Sequence, residues 1–321
     1  MPSNEKNFPP KILEGKEPVH DLDLEEVRSL SDLISQFKKS GGFTASSLAK
    51  GIDILREMID DRGCERWLSF IGAIIATGAR GIIANFLDKG LFKYVVTTCG
   101  ALDHDIARSM ESYYSGEFGI NDKKLVRESV HRVGSVLVPQ KSYGLAIEKF
   151  MQQTLEELYS LGIKEIGSAD LCRYIGERIN DESSFLRKAY EKNVMVFVPG
   201  IMDGAVGTQL WLFHQRHRDF KLNLFKDFDI LAEITFKTKR SGALILGGGI
   251  SKHHLIWWAQ FSGGLDYAVQ ITTAVEYDGS LSGASLSEAI SWKKVKPEGK
   301  HVTIYGDVTV ILPLIAAALL T

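Results

Sequence analysis

Cysteine is scarce in this chain of 321 residues. Its three thiols, Cys64, Cys99 and Cys172, lie far apart and form no CxxC pair. That excludes a disulfide framework and a thiolate zinc site, and points to a reducing cytoplasm. A surplus of one charge is also missing. The net charge of −2 leaves no broad basic footprint for nucleic acid. Long apolar runs are absent as well. The longest, Val308 to Leu320, carries Pro313 and is too short to cross a bilayer, and the polar N-terminus has no signal-peptide core, so no membrane association is expected. What is present is the composition of a soluble globular protein, 45% hydrophobic and 24% charged. The length suffices for one large domain or two smaller ones.

Residues 1 to about 40 read as a polar arm ending in a short helix from Leu24 to Lys38, broken by Gly41-Gly42. A helical period runs from Phe43 to Ile59. Trp67 to Ile83 reads either as a buried helix or as strand-turn-helix, with a close backbone approach near Gly78. Short β-prone runs then recur, each ending in small or polar residues: Tyr94–Val96, Val194–Val198, Ala243–Leu246, Tyr267–Ile271 and Val302–Tyr305. Helical segments separate most of them: Ile106 to Tyr114, Leu145 to Gly162, Ser184 to Asn193, Leu222 to Lys237 and His253 to Gln260. Continuous apolar runs alternating with helices predict an α/β fold, a mostly parallel sheet covered on both faces.

One stretch concentrates reactive side chains. Glu276 to Lys294 reads as a strand's tail, a Gly/Ser loop and a helix begun by the Ser285/Glu288 capping box and stopped by Pro297. Asp278, Glu288, Trp292, Lys293 and Lys294 are thereby expected near a strand's carboxyl end, where open α/β sheets bind ligands. A lysine there could attack a carbonyl or imine if burial or a second ammonium lowered its pKa. The same residues also suit a solvated helix end.

The carboxyl edges of parallel strands would gather Thr97, Thr98, Gly100, Asp103, His104, Asp203, Gly247–Gly249, His253, Thr273, Asp278, Glu288, Lys294 and Asp307. Glycines there admit a phosphate or a ring, and acids suit a polycation or a ribose, although a solvated rim of loops would look alike. Of the adjacent pair His253-His254, at most one can face a given site from a helix; that one could serve as a base. Asp103-His104-Asp105 lacks a metal-binding partner at ligand spacing. His214 and His217 read as a solvated face, and Cys99 as a small buried residue.

Several stretches together carry a family resemblance. They are Thr97-Thr98-Cys99-Gly100-Ala101-Leu102-Asp103-His104-Asp105, Asp203-Gly204-Ala205-Val206-Gly207, Gly247-Gly248-Gly249-Ile250-Ser251-Lys252-His253-His254, Asp266-Tyr267-Ala268-Val269, Asp278-Gly279-Ser280, Glu288-Ala289-Ile290-Ser291-Trp292-Lys293-Lys294 and Tyr305-Gly306-Asp307. From about Gly42 onward the chain resembles deoxyhypusine synthase, nearest its archaeal branch. The resemblance implies a modified doubly wound, Rossmann-like domain over 41–321 behind an arm at 1–40, in a cytoplasmic homotetramer with sites shared across a dimer interface.

The activity so implied is NAD-dependent transfer of the aminobutyl group of spermidine to a lysine of the hypusine-carrying translation initiation factor. An imine on an enzyme lysine is the intermediate, and 1,3-diaminopropane is released. Carried over by motif, Lys294 would form the imine and His253 would be the base. Asp103, His104, Gly279, Ser280, Glu288 and Trp292 would line the polyamine slot. Thr98, Cys99, Gly100, Asp203, Gly248, Thr273, Ala274, Asp307 and Val308 would touch NAD.

The chain departs from the family pattern at several places. Lys293 stands where glycine is usual. Ile71-Gly72-Ala73 replaces the eukaryotic Thr-Ser-Asn cofactor contact, and Thr208 and Leu281 replace two eukaryotic carboxylates. Rival readings are an aminoalkyl transferase that makes homospermidine or uses agmatine in place of spermidine, an NAD-dependent amine dehydrogenase, and a catalytically silent NAD- or polyamine-binding homologue.

Overall fold

A computed structural model describes residues 10–320. Residues 1–9 of the expected arm lie outside the described residues. The central sheet has six strands: β1 (Cys64–Phe70), β2 (Tyr94–Val96), β3 (Met195–Phe197), β4 (Arg240–Leu246), β5 (Leu265–Thr272) and β6 (Val295–Tyr305). All pair in parallel, in the order β3-β2-β1-β4-β5-β6. This is the doubly wound order, in which the connection reverses between β1 and β4. The middle strands are buried on both faces, which is why they read as unbroken apolar runs: Ala243, Leu244, Ile245 and Leu246 are all fully inaccessible. One row of the register runs Ser69, Ile245, Gln270, Thr303 across β1, β4, β5 and β6.

Six helices frame the sheet edge: α1 (Phe43–Asp60), α2 (Ala79–Asp88), α3 (Cys99–Met110), α4 (Ala205–Arg216), α5 (Gly249–Ala259) and α6 (Val308–Leu320). Pro313 is accommodated inside α6. Among the described residues, no helix is long and apolar enough to cross a membrane. A small antiparallel sheet of Tyr114–Ser115, Val130–Val133 and Val136–Pro139 stands beside the main one.

Several boundaries differ from the sequence reading. The stretch from Trp67 resolves as strand, one 3-10 turn over Gly72–Ala76, and helix α2. The close approach falls at Gly72, not Gly78. A Cβ on Gly72 would sit 2.6 Å from the Gly100 carbonyl carbon, whereas nothing lies within 4 Å of one on Gly78. The expected helix from Leu24 splits into a 3-10 turn at Leu24–Glu26 and a helix at Leu30–Lys39. Ser29 and Asp32 form the capping box that sets its start. Helix α3 begins at Cys99 and ends at Met110, earlier at both ends than expected.

The largest difference follows Ser285. Its hydroxyl does accept from Glu288 N, but the helix is a single turn, Glu288–Ser291, and Lys293 leaves it with a left-handed φ of 57°. Pro297 does not stop a helix. It lies inside edge strand β6, opposite a register shift, where a missing N–H costs no ladder bond.

Candidate functional site

A cleft of about 1140 Å³ opens at the carboxyl edge, over the point where the strand order reverses. Its walls include Ile71, Ala73, Ile74 and 76–78 after β1, Gly247–Gly249 after β4, Thr272–Ala274 after β5 and Gly306–Val310 after β6. The antiparallel sheet closes the far side with Tyr114, Val133 and Val136. Glycine serves two purposes here. A Cβ at Gly248 would lie 2.3 Å from Ser282 Cα, so the Gly-rich turn and the 279–286 loop can meet only without one. At Gly249, with φ of 68°, a side chain would be strained, and the space beside the backbone is open. The cleft is large enough for an extended cofactor, and its backbone can be approached closely.

Of the residues expected at a cofactor, Gly248, Thr273, Ala274, Asp307 and Val308 line this cleft. Asp307 accepts from Thr309 N at 2.7 Å. Thr98, Cys99, Gly100 and Asp203 are not in its wall. Thr98 Oγ1 accepts from Gly72 N at 3.0 Å, bracing the turn after β1, and Gly100 packs against that same turn. Cys99 is fully buried, and burial, then Asp103, pushes its thiol up to about 12. Asp203 is exposed at the entry to α4.

The polar residues of α3 are turned inward. Asp103 is fully buried and accepts from Tyr143 Oη at 2.7 Å, Ala205 N at 3.0 Å and Val206 N at 2.8 Å. It thereby caps α4, and burial raises its pKa against those hydrogen bonds. His104 pairs through Nδ1 with Tyr113 Oη at 3.0 Å, and burial, aided by Arg108, lowers its pKa to about 4. Tyr113, in turn, lines the cleft. Asp105 is engaged by Arg80 Nε at 2.5 Å. No group of His, Cys, Asp and Glu suited to a metal occurs among the described residues.

The lysine cluster sits elsewhere on the sheet. Lys294 immediately precedes β6, and its carbonyl accepts from Leu265 N, the first residue of β5. Its backbone is therefore at the amino end of the sheet. The sequence reading placed it at a carboxyl end because it did not foresee that β6 starts at Val295. Strand β5 separates the two levels by roughly 23 Å. The Lys294 side chain is nonetheless enclosed, 8% exposed, with Nζ 5.5 Å from the Trp292 ring centroid and 5.6 Å from that of Trp257. His253 stacks on Trp257 at 5.7 Å, one helical turn away on α5. Burial first, and the Lys294 ammonium second, lowers the His253 pKa. Trp292 is 62% exposed, Lys293 and Glu288 are exposed, and Gly279 and Ser280 form a solvent-facing turn held by Asp278. His254 turns away from its neighbour into a separate pocket of about 390 Å³ beside Phe228. His214 and His217 are half-buried beside the exposed Arg216 and Arg218: His214 Nδ1 is 2.7 Å from Phe220 O, and His217 stacks on Phe213.

The motifs that distribute these residues match the deoxyhypusine synthase family profile over residues 32–319. The chain is 50% identical to "Probable deoxyhypusine synthase" of Picrophilus torridus over 95% of its length and 97% of the relative. It is likewise 50% identical to that of Thermoplasma volcanium, with 94% and 97% covered. The chain belongs to the deoxyhypusine synthase family. It is thus an enzyme of the transferase class. A solved structure assigned to the same family, from Entamoeba histolytica, superposes with a TM-score of 0.64 at 19% identity, covering 94% of this chain and 96% of that one. It shares the α/β fold.

Within that family frame, the departures have visible consequences. Ile71, Gly72 and Ala73 offer no side-chain donor to the cleft, and the Gly72 N–H is already taken by Thr98. Thr208 turns its hydroxyl back to Gly204 O, and Leu281 is exposed. Two residues with site contacts were not foreseen. Trp257 follows His253 at helical spacing, a signal available in the sequence. Lys252 is fully buried and donates from Nζ to Leu281 O at 2.9 Å and to Ala284 O. Its place on the sheet-facing side of α5 required knowing the phase of that helix.

Proposed function

We propose that the chain transfers the 4-aminobutyl group of spermidine to one lysine of the hypusine-carrying translation initiation factor, with NAD as cofactor, Lys294 as imine-forming residue and His253 as base. The observation that carries this reading is the enclosure of the Lys294 ammonium between two indoles, beside a histidine, in the family's motif. NAD, when bound in the cleft of one copy, would supply a hydride acceptor at the start and a hydride donor at the end to the lysine pocket of a second copy, because within one chain cleft and lysine stand at opposite levels of the sheet. The chain's own residues do the rest. His253, held short of full protonation, takes the proton that leaves the secondary amine of spermidine. Lys294 Nζ attacks the resulting imine carbon, and the C–N bond to 1,3-diaminopropane breaks as the proton from Nζ moves to the departing nitrogen. The butyl group stays on Lys294 as an imine until the factor's lysine displaces it. Trp292 and Trp257 provide apolar walls for the methylene chain. The exposed acids Glu288 and Asp278 are available for its distal ammonium. Asp103 and His104 act from beneath the surface, by fixing α4 and Tyr113. Thr98 and Gly100 act from behind the cofactor site, by bracing the turn after β1, and Cys99 and Asp203 lie outside its wall.

Self-association to a homotetramer accords with the large aromatic side chains left exposed at Phe225, Phe236, Trp257 and Trp292, the last two walling the lysine pocket, and would set a second copy against that pocket. Three buried free thiols suit a reducing cytoplasm. The absence of carboxylates at Thr208 and Leu281 favours, as second reading, a donor such as agmatine with a different distal cation. Borohydride trapping with NAD and labelled spermidine, followed by peptide mass analysis, should place the label on Lys294. Label on Lys293 would overturn the residue assignment. Labelling by agmatine alone would select the second reading. No adduct with either donor would leave a dehydrogenase or a silent homologue.

A further inference from the structure

Arg108 stands out as a cation without a counter-ion. It projects from α3 into the cleft wall, and no other lysine or arginine among the described residues lines that cleft. Its Nη1 donates to Ile75 O at 2.8 Å and Thr77 O at 2.6 Å, so the carbonyls of the turn after β1 fix the plane of the guanidinium. The nearby carboxylates are engaged elsewhere. Asp105 and Asp181 both pair with Arg80, at 2.5 and 2.8 Å, and among the described residues no acid forms an ion pair with Arg108. Burial, and next the Arg80 charge, lowers the Arg108 pKa, and the weaker pull of Asp105, Tyr113 and Asp181 does not offset them. A partly desolvated guanidinium in that state is a strong attractor for a phosphate, which its fork can bind with paired hydrogen bonds. The adjoining turn, with Ile71, Gly72 and Ala73, has no hydroxyl or amide side chain to perform that task.

The geometry points to Arg108 as the phosphate anchor of the cleft, binding the pyrophosphate of a dinucleotide. This rests on the proposed cofactor reading, and adds to it a residue that lies outside the motifs carrying the family resemblance.

Calorimetric titration of the full chain with NAD, ADP-ribose and NADP, and displacement titration with adenosine, tests the assignment for the parent, Arg108→Met and Arg108→Lys. Arg108→Met should weaken NAD and ADP-ribose about tenfold to a hundredfold, and leave adenosine within about twofold. Arg108→Lys, which keeps the charge but not the fork, should fall between. Equal loss for adenosine would mean that the turn had collapsed and would overturn the anchor. So would unchanged NAD affinity in Arg108→Met. A loss confined to NADP would move the arginine to the ribose and likewise refute the pyrophosphate assignment. A parent that binds no dinucleotide would instead refute the cofactor reading itself.

Discussion

Replacing Lys252 by Met removes a buried ammonium without much change in length, and the cost of doing so should grow with pH. The parent side chain is 1% exposed. Burial, opposed by Glu288 and aided by Lys294, brings its pKa down to about 8 from an ordinary value near 10.4. The unfolded chain therefore holds this proton more tightly than the folded one. Between pH 8 and about 10.4 the unfolded state carries more protons, so stability rises with pH through that window. At about 1.4 kcal/mol per unit, the burial cost carried at pH 7 is roughly 3 kcal/mol and vanishes above pH 10.4. Methionine avoids that cost but orphans the carbonyls of Leu281 and Ala284, each worth about 1–3 kcal/mol if left buried and unpaired. Near pH 7 the two effects nearly cancel. By pH 10 the variant should be weaker by several kcal/mol. Urea midpoints for parent and variant from pH 7 to 10 give the difference curve, in which all other titrating groups drop out. Two parallel curves would refute the description of Lys252 as a strained charge holding the 279–286 loop.

Two further substitutions probe other parts of the site. Gly248→Ala should push the loop bearing Ser282 away from the Gly-rich turn, because its Cβ would lie 2.3 Å from Ser282 Cα. NAD affinity should drop at least about tenfold while thermal stability falls by less than about 3 kcal/mol, measured by titration and melting. His104 is held neutral by burial, with its pKa lowered to about 4 from near 6.5. Its contribution is present above pH 6.5 and is lost as pH falls through 4. His104→Phe should flatten about 3 kcal/mol of the acid limb of stability between those values, read by urea unfolding at pH 4 to 7.

The alternation of apolar runs with helices was enough to foresee a mostly parallel sheet covered on both faces, because strands such as Ala243–Leu246 are buried on both faces and carry no competing pattern; its doubly wound order came from the family resemblance. The strands' carboxyl-end residues followed, and of these Gly248, Thr273 and Asp307 do share one cleft, with Ala274 and Val308, which the resemblance supplied. The antiparallel sheet that closes it could not be foreseen. Its strands span two to four residues, too few for a period to show, and their partners are fixed by tertiary contact. Asp103 shows a second limit. A carboxylate beside a glycine-rich strand end reads as a ligand contact, but whether it faces a cleft or caps α4 depends on where residue 205 lies in space. Lys294 shows a third. Its neighbours were legible, but its height on the sheet was not, because the first half of β6, from Val295 to Gly299, has neither the composition nor the regular register of a strand.

That irregular half-strand also limits how copies of the chain can meet. Proline at position 297 leaves no amide to offer, and Lys296, Glu298 and Lys300 crowd the same margin with charge. The opposite margin, Met195–Phe197, is three residues long. Neither border can seed an extended ribbon running from molecule to molecule. These two borders are thus closed to sheet-to-sheet addition, and copies that meet must do so over other surfaces of the chain.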